Sequence, residues 1–282
     1  MTDSNPPTFS LGQGEIEEGL RLLGLARGDA VEVHSSLRSL GWVEGGASTV
    51  IAALMNAVGR DGTIVMSAYP VSPPIPLTEA DKARGITWKV RILPEGSDQK
   101  TGLGVVVDEF RQRPDVVCGA GLHRVCAWGR DAERHSRGYR HLLAVDGWVL
   151  LLGVGVDRCS SMHIAEETVA IPQEIARLFE IPEDIRRDYP SDAWSIGYGS
   201  TPNDPWMTVW EEAQRRGLVR KGGIGKADCQ LFRAEAMVSI YEEWRRRDPF
   251  GLFGVERGAS GDALRPTLVF RVGRQASRCY CG

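Results

Sequence analysis

The 282-residue chain is 42% hydrophobic and 25% charged, ordinary proportions for a globular protein, with enough length for a sizeable core. Its 34 basic and 37 acidic residues leave a net charge of −3, which argues against a nucleic-acid binder. The densest basic run, Arg245-Arg246-Arg247, stands beside Glu242 and Glu243 and reads as a solvated helix end.

Residues 15–25 carry Ile16, Leu20, Leu22, Leu23 and Leu25 at helical spacing, closed by Gly28. Ala30-Val31-Glu32-Val33-His34-Ser35 follows as a strand with Val31 and Val33 on one face. Gly45-Gly46-Ala47-Ser48 opens a helix through Val50, Ile51, Leu54, Met55 and Val58 that stops at Gly59, and Thr63-Ile64-Val65-Met66 is a buried strand. Strand, helix and strand in this order build a parallel sheet. Residues 68–100, with Pro70, Pro73, Pro74, Pro76 and Pro94, keep no period and read as a long functional loop, a lid or a binding wall. Helix resumes over 101–113, and strands are predicted at 125–128 and 148–154, the latter apolar throughout and so buried on both faces. Residues 160–170 start a helix that Ser160 or Ser161 can cap. A second irregular stretch covers 182–205. A helix at 206–216, a short strand at 228–233 and a helix at 234–247 complete the pattern, the last with Met237, Val238, Ile240, Tyr241 and Trp244 inward.

The expected fold is α/β: an irregular, mainly parallel sheet flanked by helices, with two long loop insertions. One domain spans 1–282, its core about 14–247, with 1–10 and 248–282 as peripheral tails. No stretch approaches the ~18 consecutive apolar residues of a membrane span. Residues 1–10 lack the basic start and apolar run of a signal peptide, so a cytoplasmic protein without a membrane partner is expected. Cys118, Cys126, Cys159 and Cys229 stand among apolar or small residues and read as buried, inert thiols. Cys279-Tyr280-Cys281 lacks the second pair a zinc site requires, so no metal is expected.

Four segments carry chemistry. His34-Ser35-Ser36-Leu37 ends a predicted parallel strand, where open α/β sheets bind ligands, and a small-residue turn there offers backbone N–H groups and two hydroxyls. Gly153-Val154-Gly155 ends another strand, but no third glycine reaches a helix, so it is not a dinucleotide fingerprint. Thr101-Gly102 enters a helix, whose N-terminus holds anions; taken alone, a plain cap is the simpler reading. In Ser160-Ser161-Met162-His163-Ile164-Ala165-Glu166-Glu167, helical spacing puts His163 on one face with both Glu166 and Glu167. A carboxylate beside an imidazole fixes its tautomer and raises its basicity, as a general base requires.

In order, these segments resemble the aminoglycoside 3-N-acetyltransferase family, also called the antibiotic N-acetyltransferase family, over roughly 16–244. Val33-His34-Ser35-Ser36-Leu37-Arg38-Ser39-Leu40-Gly41 resembles its opening motif. Asp146-Gly147-Trp148-Val149-Leu150-Leu151-Leu152-Gly153-Val154-Gly155 resembles its buried strand. Ser160-Ser161-Met162-His163-Ile164-Ala165-Glu166 resembles its histidine motif, and Ile224-Gly225-Lys226-Ala227-Asp228-Cys229-Gln230-Leu231-Phe232 its late segment. The resemblance implies an irregular α/β fold and acetyl-CoA as donor, held by His34, Ser35, Ser36, Leu37, Thr101 and Gly102. It implies His163 as general base for an incoming amine and Glu166 as its orienting carboxylate, with Glu167 still open. Asp157 and Glu167 are expected on the substrate side, for a small polycationic or amine substrate bound by a monomer or homodimer.

The chain departs from the family where Gly121-Leu122 replaces a His-Pro pair and where residues 133–141 form a shorter, basic stretch. The two long irregular stretches also diverge. Three other readings stay open: the same transfer to a non-aminoglycoside amine, a metal-dependent hydrolase using His163, Asp157 and Glu166, and a silent CoA-binding relative.

Overall fold

The structure, a computed structural model, describes residues 10–94, 96–257 and 264–266. In chain order the elements used below are α1 (Gln13–Leu23), β1 (Ala30–Ser35), α2 (Ala47–Val58), β2 (Thr63–Ser67) and β3 (Ile86–Arg91). Next come α3 (Val105–Phe110), β4 (Val117–Cys118), β5 (Val125–Gly129), β6 (Trp148–Leu152) and α4 (His163–Thr168). The chain continues through β7 (Trp194–Tyr198), α5 (Pro205–Arg215), β8 (Arg220–Ile224), β9 (Ala227–Arg233) and α6 (Ala234–Arg247). The described residues form two compact units from interleaved segments: those within Met1–Tyr69, Leu103–Ser161 and Gln214–Ala236 make the first, and those within Pro70–Gly102, Met162–Ala213 and Met237–Gly282 the second. Neither is continuous in sequence, so no linker marks a boundary.

The first unit is built on a seven-stranded sheet in the order β4-β5-β2-β1-β6-β9-β8. β1 lies parallel to both β2 and β6, pairing Val31 with Ile64 and with Trp148; the remaining pairings are antiparallel. The fold is thus mixed α/β, with the parallel strands at its centre. Val31, Val33, Ile64, Met66, Leu150 and Leu152 turn one face into a core with Ile16 and Leu20 of α1, Val50, Ile51 and Leu54 of α2, and Phe110 of α3. Burying each such side chain stabilises the fold by about 1.5–3 kcal/mol before entropy is counted. α1 ends earlier than expected, at Gly24 rather than Gly28. Gly24 takes the left-handed conformation (φ 104°) and its N–H bonds to the carbonyls of Leu20 and Arg21, which terminates the helix.

Two cysteines depart from the inert-thiol expectation. Cys118 and Cys126 face each other across β4 and β5 and form a disulfide. Cys118 is exposed, so the small residues around it reflect a sheet edge and not a core. Cys159 and Cys229 are buried, as expected, and burial pushes the Cys229 thiol up to about 11. Cys279 and Cys281 lie outside the described residues.

The second unit contains both stretches that sequence left without regular structure. β3 comes from one and β7 from the other, and they pair antiparallel, with Trp88 opposite Gly197 and Val90 opposite Ser195. Ile86, Ile185 and Ile196 form a small core of their own, against which Leu77, Tyr189 and Trp194 pack. β3 was hidden because its six alternating residues lie inside a proline-bearing stretch, between Pro76 and Pro94, and Lys89 within it is buried. The Lys89 ammonium lies 2.7 Å from Asp81 Oδ2, although Lys89 falls on a polar position of the alternating run 86–91. The expected tail from 248 is also structured at its start: Pro249–Phe253 forms a helical turn that buries Leu252 and Phe253. Among the described residues, no helix is long and apolar enough to cross a membrane.

Candidate active site

In the second unit, His163 opens α4 and Glu166 follows one turn later. Their side chains meet: Nδ1–H of His163 donates to Glu166 Oε2 at 2.6 Å, and each side chain is 21% exposed. The other carboxylate oxygen, Oε1, accepts from Trp206 Nε1 and from the Tyr241 hydroxyl, both at 3.0 Å. Burial pushes the Glu166 carboxyl up, but bonds from His163, Trp206 and Tyr241 outweigh it and hold its pKa below the ordinary carboxylate value. The Trp206 ring also meets the imidazole edge-on, with centroids 5.0 Å apart. With Nδ1 committed to the carboxylate, Nε2 is the ring nitrogen that can take a proton. Glu167 is exposed and is not the residue bonded to His163.

Arg245 supports this arrangement from α6. It is 6% exposed; Nε donates to the Val169 carbonyl at 2.7 Å and a terminal nitrogen to the Tyr241 hydroxyl at 3.3 Å. The solvated-end reading therefore holds for Arg246 and Arg247, paired with Glu242 and Glu243, and fails for Arg245.

In the first unit, the His34–Leu37 segment is more internally bonded than its sequence implied. The Ser36 N–H donates to the Leu152 carbonyl at 3.0 Å, and its hydroxyl oxygen accepts from Ser39 N–H and Oγ, capping the turn Leu37–Leu40. The Ser35 hydroxyl is buried without a hydrogen-bond partner, an orphan that fits a polar group of a ligand at this turn. His34 Nε2 lies 2.6 Å from Oε1 of Glu32, a wholly buried carboxylate absent from the sequence-based site. Nearby, Ser67 Oγ is 2.5 Å from the Tyr139 hydroxyl and 2.8 Å from Ser160 Oγ. Burial, then the charge of Glu32, raises the Tyr139 pKa well above its usual value. Ser161 N–H donates to Glu32 Oε1 at 3.1 Å, and neither Ser160 nor Ser161 caps α4, because a 3-10 turn, Ser160–Met162, runs straight into it.

The remaining expected site residues are placed as follows. α3 begins at Val105 after Gly104, so Thr101-Gly102 is not its N-terminus. Thr101 is buried, and the Gly102 N–H is spent on the Val71 carbonyl at 2.9 Å, with Ser72 O so near that a Cβ would sit 2.7 Å from it. Asp157 lies in the 3-10 turn Val156–Arg158, its carboxylate 3.1 Å from Arg158 Nε. No group of three His, Cys, Asp or Glu able to hold a metal occurs among the described residues. Glu32, Trp206, Tyr241 and Arg245 were missed. Glu32 left a trace in sequence as a charge between Val31 and Val33, and Tyr241 as an inward position of its helix.

An imidazole held by a fully bonded carboxylate is an arrangement that can move a proton. The model of the aminoglycoside 3-N-acetyltransferase family matches residues 33–246. The chain belongs to that family and is an acyltransferase. An aminoglycoside N(3')-acetyltransferase-like protein, YokD, of a Bacillus subtilis prophage is 28% identical over 263 residues, 84% of this chain and 93% of that one. Aminoglycoside N(3)-acetyltransferase III of Salmonella is 30% identical over 258 residues, covering 81% and 89%. The solved binary complex of AAC-IIIb with CoASH shares the fold at a TM-score of 0.61 and 22% identity, covering 84% of this chain and 96% of that one.

Proposed function

We propose that the chain transfers the acetyl group of acetyl-CoA to an amine, with the 3-amino group of an aminoglycoside as acceptor. The observation that carries this reading is the 2.6 Å bond between His163 Nδ1 and Glu166 Oε2, with Oε1 held by two further donors. The names and acceptors of the relatives supply the substrate class, and the CoASH complex of a fold relative supports the donor.

An amine in water at neutral pH is protonated and cannot attack until it loses that proton. Nε2 of His163 accepts it, and Glu166 stabilises the imidazolium that results. Such proton removal typically contributes about 10²–10⁴-fold in rate. The donor supplies an activated acetyl thioester; His34, Ser35, Ser36 and Leu37, with Thr101 and Gly102, would hold it. Asp157 and Glu167 supply negative charge for a polycationic acceptor.

Release of CoA thiol from acetyl-CoA, measured against a panel of aminoglycosides, amino sugars and simple amines, tests the reading. Turnover with aminoglycosides and its loss in His163→Ala, with CoA binding retained, is the expected result. Turnover only with other amines would move the acceptor and keep the chemistry. A His163→Ala variant of near-normal rate would refute the base assignment.

A further inference from the structure

Glu32 is the least expected group in the first unit. It lies at the middle of the central strand β1, is 0% exposed, and pairs in register with Val65 on β2 and Val149 on β6, both wholly buried. An apolar side chain would suit that position better. A buried carboxylate pays a large desolvation cost that only complete hydrogen bonding offsets, and Oε2 of Glu32 has no partner. Stability therefore does not explain the residue.

The other oxygen shows what does. Oε1 accepts from Ser161 N–H at 3.1 Å and lies 2.6 Å from His34 Nε2. Ser160 N–H also lies 3.4 Å from that ring nitrogen, so Nε2 has two competing roles. It cannot both donate to the carboxylate and accept from Ser160. The 2.6 Å separation falls in the range of a charge-assisted bond, and the 3.4 Å one is long. The geometry therefore puts a proton on Nε2 and leaves Nδ1 as the ring nitrogen able to accept a hydrogen bond.

We propose that Glu32 is a positioning residue for the acetyl donor: it locks His34 in the Nε2–H tautomer, so that Nδ1 accepts a hydrogen bond from an amide N–H of the pantetheine arm at the His34–Leu37 turn. This rests on the reading that the turn holds acetyl-CoA. Glu32 then trades stability for donor affinity and leaves proton removal from the amine to His163.

The test measures CoA binding by calorimetry, thermal melting, and the ring ¹⁵N spectrum of histidine-labelled protein. His34 is assigned among the five histidines by its loss in His34→Ala. Glu32→Leu is expected to melt no lower than the parent, to bind CoA about tenfold more weakly, and to give His34 a mixed tautomer. Glu32→Gln keeps an acceptor oxygen and should retain the Nε2–H tautomer and bind CoA within about threefold of the parent. If Glu32→Leu fails to fold or melts lower with unchanged CoA affinity, the carboxylate is structural and the proposal is overturned. An Nδ1–H tautomer in the parent overturns it too. If His34→Ala weakens CoA binding and Glu32→Leu does not, only the role of Glu32 falls; if neither weakens it, the donor-turn reading itself falls.

Discussion

Trp206 grips Glu166 through its indole Nε1, 3.0 Å from Oε1, while its ring edge packs against His163, the residue that Glu166 orients. Trp206→Phe keeps an aromatic wall and removes the donor. A hydrogen bond to a charged group is worth about 1.5–3 kcal/mol, so the carboxyl pKa should rise. The expected outcome is a roughly tenfold lower kcat and an acidic limb of the pH–rate profile displaced to higher pH. An unchanged profile would show that the Trp206 bond does not tune the pair.

Tyr241 holds the same oxygen and is held in turn by Arg245. Tyr241→Phe should displace the acidic limb in the same direction. Combined with Trp206→Phe, the loss in kcat should differ from the product of the single losses, because both act on one carboxylate. A strictly multiplicative double variant would show that the two donors act independently.

Lys89 and Asp81 form an ion pair with side chains only 8% and 4% exposed, and Tyr189 donates to the second Asp81 oxygen at 2.5 Å. Lys89, then Tyr189, holds the Asp81 carboxyl far below its usual pKa. Lys89→Ala strands a buried carboxylate and should cost about 3–5 kcal/mol in denaturant unfolding, whereas Lys89→Ala with Asp81→Ala should cost less than the two singles added.

His135 is 2% exposed and its ring centroid lies 4.5 Å from that of His141; burial, then the charge of His141, lowers its pKa from 6.5 to about 4. Between those values the unfolded chain binds a proton that the folded chain refuses. Stability should therefore fall as pH drops from about 6.5 to about 4, by on the order of 3 kcal/mol. Melting temperatures across that range should show the loss, and His135→Gln should flatten it.

The Cys118–Cys126 disulfide closes a short loop with a sequence separation of 8. Loop-closure entropy puts its contribution near 2–3 kcal/mol. Alkylation followed by mass spectrometry should find these two cysteines blocked until a reductant is added, and reduction should lower the melting temperature.

Much of the sheet was legible in sequence because its strands advertise themselves. β6 is an unbroken apolar run, β2 carries Ile64, Val65 and Met66 in succession, β1 alternates and α6 keeps its stripe, so the order of elements followed from pattern while the motifs carried the resemblance and the place of His163. Geometry that depends on distant pairing was not legible. Trp206 and Tyr241 lie 40 and 75 residues from the carboxylate they hold. Arg245 looked like its solvated neighbours because a charge reveals nothing about its partners, and the alternating run at 86–91 was lost among the prolines that flank it. The capping role assigned to Ser160 and Ser161 failed because a turn occupies the place where a helix start was expected.

The two chain stretches that supply β3 and β7 are about a hundred positions apart, yet each provides the other's backbone partner. Any attempt to swap these segments between relatives must exchange both together. A chimera that imports one alone inherits an unmatched hydrogen-bonding edge, and its failure would report on strand mating before it said anything about the substrate.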